Sequence, residues 1–367
     1  MSGVPEEREG RDRHESPLRS EPLSDDDARD REAHMFTGER DGGRGGGRGR
    51  RPSLVPEAEF RSYYGRAVLK TPVWDWKIPA YFFTGGLSAG SALLAAGADL
   101  TARPTLRRVG RINALVMLGT STYLLIADLG RPERFHHMLR VAKPTSPMNV
   151  GTWILVAYGA PAALAAASEL VPRRLRRTVV GRLLGAAGRP ATLASAAVAP
   201  SVASYTAVLL SQTAVPAWHE AHPYLPFVFT GSAAASAGGL GMALTPVREA
   251  APARLFAVCG AALELAASLR LEARLGLPRE AYTTGRAHRL RKVSEYLTVG
   301  GLAGTVLLGA RSRAAAVAGG LALIAGGLLQ RFGVFEAGVA SARDPKYVTV
   351  PQRQRLDRGQ PVRYERG

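Results

Sequence analysis

Residues 191–213 read ATLASAAVAPSVASYTAVLLSQT, an unbroken stretch with no Asp, Glu, Lys or Arg. An α-helix of about 20 such residues, rising about 1.5 Å per residue, matches the roughly 30 Å hydrocarbon core of a bilayer. Working outward, seven more predominantly apolar runs fall at about 77–100, 110–128, 150–170, 224–246, 252–272, 295–310 and 314–335. Eight spans predict an all-α, multi-pass membrane protein with both termini on one side. The whole-chain averages conceal this, because 46% hydrophobic residues would suit a soluble domain. The polarity is concentrated in the tails and in short Arg-rich stretches between the apolar runs.

The net charge of +18 follows the same division. Basic residues lie in tails and between spans instead of along one face, which fits membrane topology and anionic lipid better than nucleic acid. Cys259 is the single cysteine and lies within an apolar run, so it reads as a small buried hydrophobe. With one cysteine there is no internal disulfide, no Cys-rich zinc site and no thiolate-held iron–sulfur cluster. His14, His34, His136, His137, His219, His222 and His288 all fall in tails or loops, so no facing pair within spans is expected to clamp a haem. No metal site is expected.

Residues 1–60 form an Arg/Gly-rich segment too polar to offset its ordering entropy, and read as a disordered basic tail. Arg50 and Arg51 are followed by PSLVPEAEF instead of an apolar run, so no cleavable signal is expected there, and Met35 is a second candidate start. The membrane domain is placed at 74–336 and a basic C-terminal tail at 337–367. Loops after odd-numbered spans carry fourteen Lys and Arg, including Arg103, Arg107, Arg111, Arg173 and Arg189, against ten after even-numbered spans. The positive-inside rule then puts the odd-side loops in the cytoplasm and the termini outside.

An internal echo suggests duplication. Phe83-Thr84-Gly85 opens span 1 and Phe229-Thr230-Gly231 opens span 5, each followed by small residues and each near the start of a four-span block. Two four-helix bundles are therefore expected. Gly86/Gly90 and Gly300/Gly304, at i, i+4 spacing, would let helices approach closely.

The second loop, ADLGRPERFHHMLRVAKPTSPMNVGTW at 127–153, is long for a hairpin connection and rich in polar and aromatic groups, as binding loops are. Gly130 and Pro132 close one helix, and Ser146 and Pro147 open the next. Its motifs DLGRPERF and KPTSPMNVGTW, with FFTGGLSAGS at 82–91 and SYTAVLLSQTAVPAW at 204–218, resemble the NrfD/PsrC family of polysulfide reductase membrane subunits. The resemblance runs from about Trp74 to Glu336. It implies the quinone-binding membrane anchor of a respiratory oxidoreductase, with menaquinone the expected quinone. It also implies an iron–sulfur, ferredoxin-like partner and a molybdopterin catalytic subunit. Tyr205 matches the family tyrosine that hydrogen-bonds the quinone headgroup. Lys77, Ile78 and Tyr81 stand where some relatives have Asn and His.

The residues themselves are compatible with that role. A quinone site needs an apolar cleft, a few hydrogen-bonding groups and a route for protons. Tyr205, Tyr81, Lys77 and Asp128 all fall at the face carrying the termini; interfacial anchoring is the plainer role of Tyr81 and Lys77. Asp128 faces the unfavourable end of a helix dipole and either pairs with Arg131 or Arg134 or exchanges protons. Glu264 lies near the middle of span 6, where an ionisable group is costly; it either moves protons or hydrogen-bonds a neighbouring helix. The loop residues Arg131, Arg134, Phe135, His136, His137 and Arg140 are candidates for docking the partner. A secondary transporter or proton-translocating protein is the rival reading, although no matching pair of spans carries central Pro/Gly breaks.

Overall fold

A computed structural model describes residues 67–172 and 174–358. The tail read at 1–60, with Met35 and the Arg50-Arg51 pair, lies outside the described residues, as do Arg173 and the last nine positions. Eight long helices follow in order: α1 Lys77–Leu100, α2 Pro104–Ala127, α3 Pro147–Leu170, α4 Val179–Ser211, α5 Leu225–Leu244, α6 Ala251–Arg274, α7 Gly285–Leu307 and α8 Arg313–Arg343. A ninth, α9, spans Lys346–Asp357. No strand occurs among the described residues. Each apolar run read from the sequence lies on one of the eight, overrunning its ends by no more than three residues. Six of them, α1 to α5 and α8, are long and apolar enough to cross a membrane.

Helix is the expected solution, because in lipid every backbone N–H and C=O must be satisfied within its own segment. The distribution of side chains agrees. Val116, Tyr123, Val208, Leu255, Leu269, Val306 and Leu321 project outward. The interior holds alanines and small hydroxyls such as Ser88, Ser91, Ser121, Ser195, Ser236 and Thr305. Small residues inside and large apolar residues outside invert the pattern of a water-soluble bundle and suit a lipid surround.

The helix starts differ from the apolar runs. α2 begins at Pro104, α4 at Val179 and α7 at Gly285, each well before the hydrophobic segment. Hydropathy marks only the hydrocarbon-facing length, while a helix continues through charged turns whose side chains reach water or a partner. His288 consequently sits in the first turn of α7 and not in a loop. Arg107 and Arg111, counted above as loop charges, lie on α2 and are neutralised. Arg111 is buried and contacts Asp99 at 3.2 Å and Glu169 at 2.9 Å, and Arg107 contacts the same two carboxylates. Arg313 caps α5 by donating to the carbonyls of Met242, Ala243 and Thr245.

Within the first half α1 packs on α2 and α4, and α3 on α2 and α4; within the second α5 packs on α6 and α8, and α7 on α6 and α8. The two halves meet where α1 contacts α5. The echoed segments lie at this contact: a Cβ on Gly90 would stand 2.6 Å from the Ala233 carbonyl oxygen and 2.7 Å from the Ala237 Cβ. Gly86 and Gly90 thus do permit close approach. Gly300 and Gly304 do not, since nothing lies within 4 Å of either; Gly301, one position away, is the residue packed against Gly319 and Leu323. Cys259 is exposed on α6 and is not a core residue. A short apolar run does not reveal which face of its helix turns inward.

The region read as a C-terminal tail from 337 is partly core. Ala337, Gly338, Ser341 and Ala342 are buried in the last turns of α8. There Trp218 Nε1 donates to the Val334 carbonyl at 2.8 Å, Ala217 N donates to Ser341 Oγ at 3.2 Å, and Tyr282 Oη donates to the Ala217 carbonyl at 2.9 Å. Gly338 leaves room for the Trp218 ring, which any Cβ would overlap. Beyond it, Lys346 Nζ reaches Glu280 at 2.7 Å and Tyr347 is buried.

Candidate functional site

A cavity of about 220 Å³ opens at the end of the molecule where α1 begins and where α2 and α4 end. Ile78, Tyr81 and Phe82 reach it from α1, Leu125 and Asp128 from the end of α2, and Gly151, Thr152 and Leu155 from α3. Tyr205 and Leu209 close it from α4, and Val73 and Trp74 lie across it from the segment before α1. Trp74 is held there by stacking on the buried Trp218, with ring centroids 5.8 Å apart.

Tyr205 is the central polar group. Its ring lies over α3 at Gly151, where a Cβ would come within 2.5 Å of the ring carbon Cε2. Its hydroxyl is buried and has no hydrogen-bond partner among the described residues. A buried hydroxyl left unpaired costs about 1–3 kcal/mol, so such a group is commonly satisfied by something that enters the site.

At the rim, Asp75, one residue before the N-cap Trp76, accepts from Lys77 N at 2.8 Å and pairs with Lys77 Nζ at 2.6 Å. The Lys77 hydrogen bond holds the Asp75 carboxyl below the usual carboxylate range. Burial pushes Asp128 up, the adjacent Asp75 charge adds to this, and Lys77 opposes it. No ion pair joins Asp128 to Arg131 or Arg134; its charged neighbours are Asp75 and Lys77. Lys77 stands at the rim, bound to Asp75, and does not line the cavity. The structure therefore brings Tyr205, Tyr81 and Asp128 together around one space with Lys77 beside it. Asp75 was missed in the sequence, although an acidic residue beside a helix start is favoured by the helix dipole.

The connecting loop is ordered by Asn149. Its Nδ2 donates to the carbonyls of Val141 at 2.8 Å and Met138 at 3.1 Å, and its Oδ1 accepts from Lys143 N at 2.6 Å. Ser146 caps α3 as its sequence suggests, accepting from Asn149 N. Pro132–Leu139 forms 3₁₀ turns in which Arg134, Phe135, His136 and His137 are all exposed, and Arg131 and Arg140 flank it equally exposed. The loop thus presents a basic and aromatic surface beside the cavity, with Met138 dipping into the lining.

Glu264 lies elsewhere. It is buried on α6, facing α5 and α8, and borders a separate polar cavity. Buried Arg331, which the sequence reading passed over, comes from α8; an arginine within LLQRFGV is the signal that marks it. Among the described residues no group of three or more His, Cys, Asp or Glu stands ready for a metal ion.

Comparison with known proteins bears on the first five long helices. A stretch of 94 residues is 34% identical to the C subunit of the polysulfide reductase of Wolinella succinogenes. It covers 24% of this protein and only 30% of that relative's length. Residues 67–252, about half of the chain and including every element that lines the Tyr205 cavity, match the family described as "Polysulphide reductase, NrfD". On that match the chain is an integral membrane protein that belongs to the NrfD family.

Proposed function

We propose that this protein is the quinone-reactive membrane subunit of an oxidoreductase complex, with the headgroup bound between α1, α3 and α4. The observation that carries the reading is the buried, unpartnered Tyr205 hydroxyl at a mostly apolar cavity near the ends of α1, α2 and α4. An apolar cleft with one or two oriented polar groups fits a flat, mostly apolar ring whose polar atoms are its carbonyl or hydroxyl oxygens. When bound, a quinol supplies two electrons and two protons, or a quinone accepts them.

The protein's own groups divide the remaining work. Tyr205 Oη fixes the ring by donating to, or accepting from, one headgroup oxygen. Asp128, whose carboxyl is raised by burial and by Asp75, takes or gives a proton at the rim, and Lys77 keeps Asp75 ionised beside it. Trp74 and Val73 limit the access of water. Arg131, Arg134, Phe135, His136, His137 and Arg140 form the docking surface for an iron–sulfur partner of ferredoxin type, which places an electron acceptor beside the pocket. A molybdopterin subunit completes the assembly, and menaquinone is the expected quinone.

In the same reading all eight long helices cross the bilayer as two four-helix bundles, with the termini on the outer face. The charges that set α6 and α7 apart are mostly near their ends, and Leu255, Leu263 and Leu269 line the outer face of α6. The test is photo-crosslinking with an azido-quinone in native membranes. Labels on Met148, Thr152 or Leu209 are expected; labels confined to other helices would refute the site.

A further inference from the structure

The second half of the chain holds a polar cavity that the pocket chemistry does not use. It has a volume of about 100 Å³ and lies between α6, α7 and α8. Since one water needs about 10–15 Å³ of such space, roughly seven to ten fit. Its outer part is bordered by Glu272, Thr283, His288 and Arg291, at the end of α6 and the start of α7. This is the same face on which the headgroup pocket opens. Arg291 is paired with Glu272 at 2.5 Å. Deeper in, Gln330 Nε2 lies 3.5 Å from Ser268 Oγ, and Ser294 Oγ donates to the Gly326 carbonyl at 2.7 Å while standing 3.5 Å from Gln330 Oε1. At the inner end are Thr298 and Glu264. Glu264 stands ten residues before the end of α6, about 15 Å down at 1.5 Å per residue.

The inner end is under-satisfied. Glu264 Oε2, Thr298 Oγ1 and two guanidinium nitrogens of Arg331 are buried with no hydrogen-bond partner among the described residues, and the Ser232 hydroxyl lies beside the Glu264 carboxyl. Glu264 and Arg331 are 3% and 1% exposed, so each is nine-tenths buried or more. Arg331 and Ser232 act on Glu264, yet buried polar atoms remain without a hydrogen-bond partner next to a cavity reaching the surface, an arrangement suited to water and a mobile proton.

Arg331, whose charge acts on Glu264, also touches residues that lead to the other cavity. Its Nη2 donates to the Phe229 carbonyl at 2.7 Å, and its guanidinium lies 3.8 Å from the Phe229 ring centroid. Phe229 meets Phe82 at 6.1 Å, and Phe82 lines the headgroup pocket. Gly86 leaves the space for the guanidinium, since a Cβ there would stand 3.3 Å from Arg331 Nη2.

We propose that this cavity is a water-lined proton entry path running from the Glu272–Arg291 mouth to Glu264, and that Arg331 couples Glu264 to the headgroup pocket through Phe229 and Phe82. A proton entering from the aqueous phase converts the Glu264 carboxylate to a neutral carboxyl; no bond to carbon and no electron is involved. Glu264 lies beyond residue 252, where the family match ends. The path stands without the quinone reading, and only the coupling rests on it.

The full-length chain in liposomes provides the test. A hydrophobic carbodiimide should label Glu264, with the label lost in Glu264→Gln. By infrared difference spectroscopy, the Glu264 carboxyl band should shift in heavy water within the mixing time. It should shift slowly in Ser268→Leu, which plugs the path, and in Thr298→Val, a gentler change that keeps the side-chain volume. An unlabelled Glu264, or equally fast exchange in both variants, overturns the path. Adding a short-chain naphthoquinone should perturb the same band in the unmodified protein and no longer do so in Phe229→Leu. A perturbation that persists in Phe229→Leu, or none in the unmodified protein although the quinone binds, overturns the coupling. Absence of quinone binding refutes the pocket and leaves the exchange result standing.

Discussion

Replacing Tyr205 by Phe removes one oxygen from the cavity between α1, α3 and α4, and the structure makes the two consequences opposite in sign. In the protein alone that hydroxyl is buried without a partner. Its removal should leave stability unchanged or raise it, by up to the roughly 1–3 kcal/mol that an unsatisfied polar group costs. With a quinone bound, the hydroxyl gains its partner, and a neutral hydrogen bond contributes about 0.5–1.5 kcal/mol, so affinity should fall about two- to twelvefold. Trp74 borders the cavity, so quenching of tryptophan fluorescence by a short-chain naphthoquinone reads affinity, and a melting curve of the same sample reads stability. A companion change, Gly151→Ala, should lower affinity by another route, because its Cβ would press within 2.5 Å of the Tyr205 ring. Weaker binding together with a lower melting temperature in Tyr205→Phe would mean that the hydroxyl is structural. Unchanged affinity would move the headgroup elsewhere.

Asp128 should make stability depend on pH. Burial and Asp75 raise its carboxyl, so the folded protein retains a proton that the unfolded chain releases. Stability is then greatest below the ordinary carboxylate value and declines as pH rises through the window up to the raised value. Asp128→Asn should abolish that decline in melting temperature, and an identical slope in the variant would refute the assignment. Gly90→Ala should destabilise by about 1–3 kcal/mol through overpacking against the α5 backbone, whereas Gly300→Ala, with nothing nearby, should stabilise by about 0.5–1 kcal/mol. Equal effects at the two sites would contradict the α1–α5 contact. Changing Arg134 and Phe135 together to Ala should release an iron–sulfur partner from affinity-purified complex while the membrane helices still insert. Full recovery of the partner would place docking elsewhere, such as the loop from Arg274 to Lys292.

The sequence alone determined that this is a helical membrane protein. Charge-free runs such as 191–213 are long enough to span a bilayer, and a bilayer leaves the backbone few alternatives to helix. It also determined that Tyr205, Tyr81 and Asp128 share one face, because span order fixes which end of each helix lies where. Tertiary structure decided what these residues touch. Asp128 meets Asp75 and Lys77 and not the arginines that follow it, Cys259 turns outward, and the close-packed glycine of α7 is Gly301 and not Gly300. Each of these depends on the rotation of a helix about its axis, which in runs of Ala, Gly, Leu and Val carries little sequence signal because both faces are apolar. Arg331 shows the limit most plainly. Its letter stands in view within an apolar run, but its meaning comes from Gly86 and Phe229 on two other helices, and only packing brings those three together.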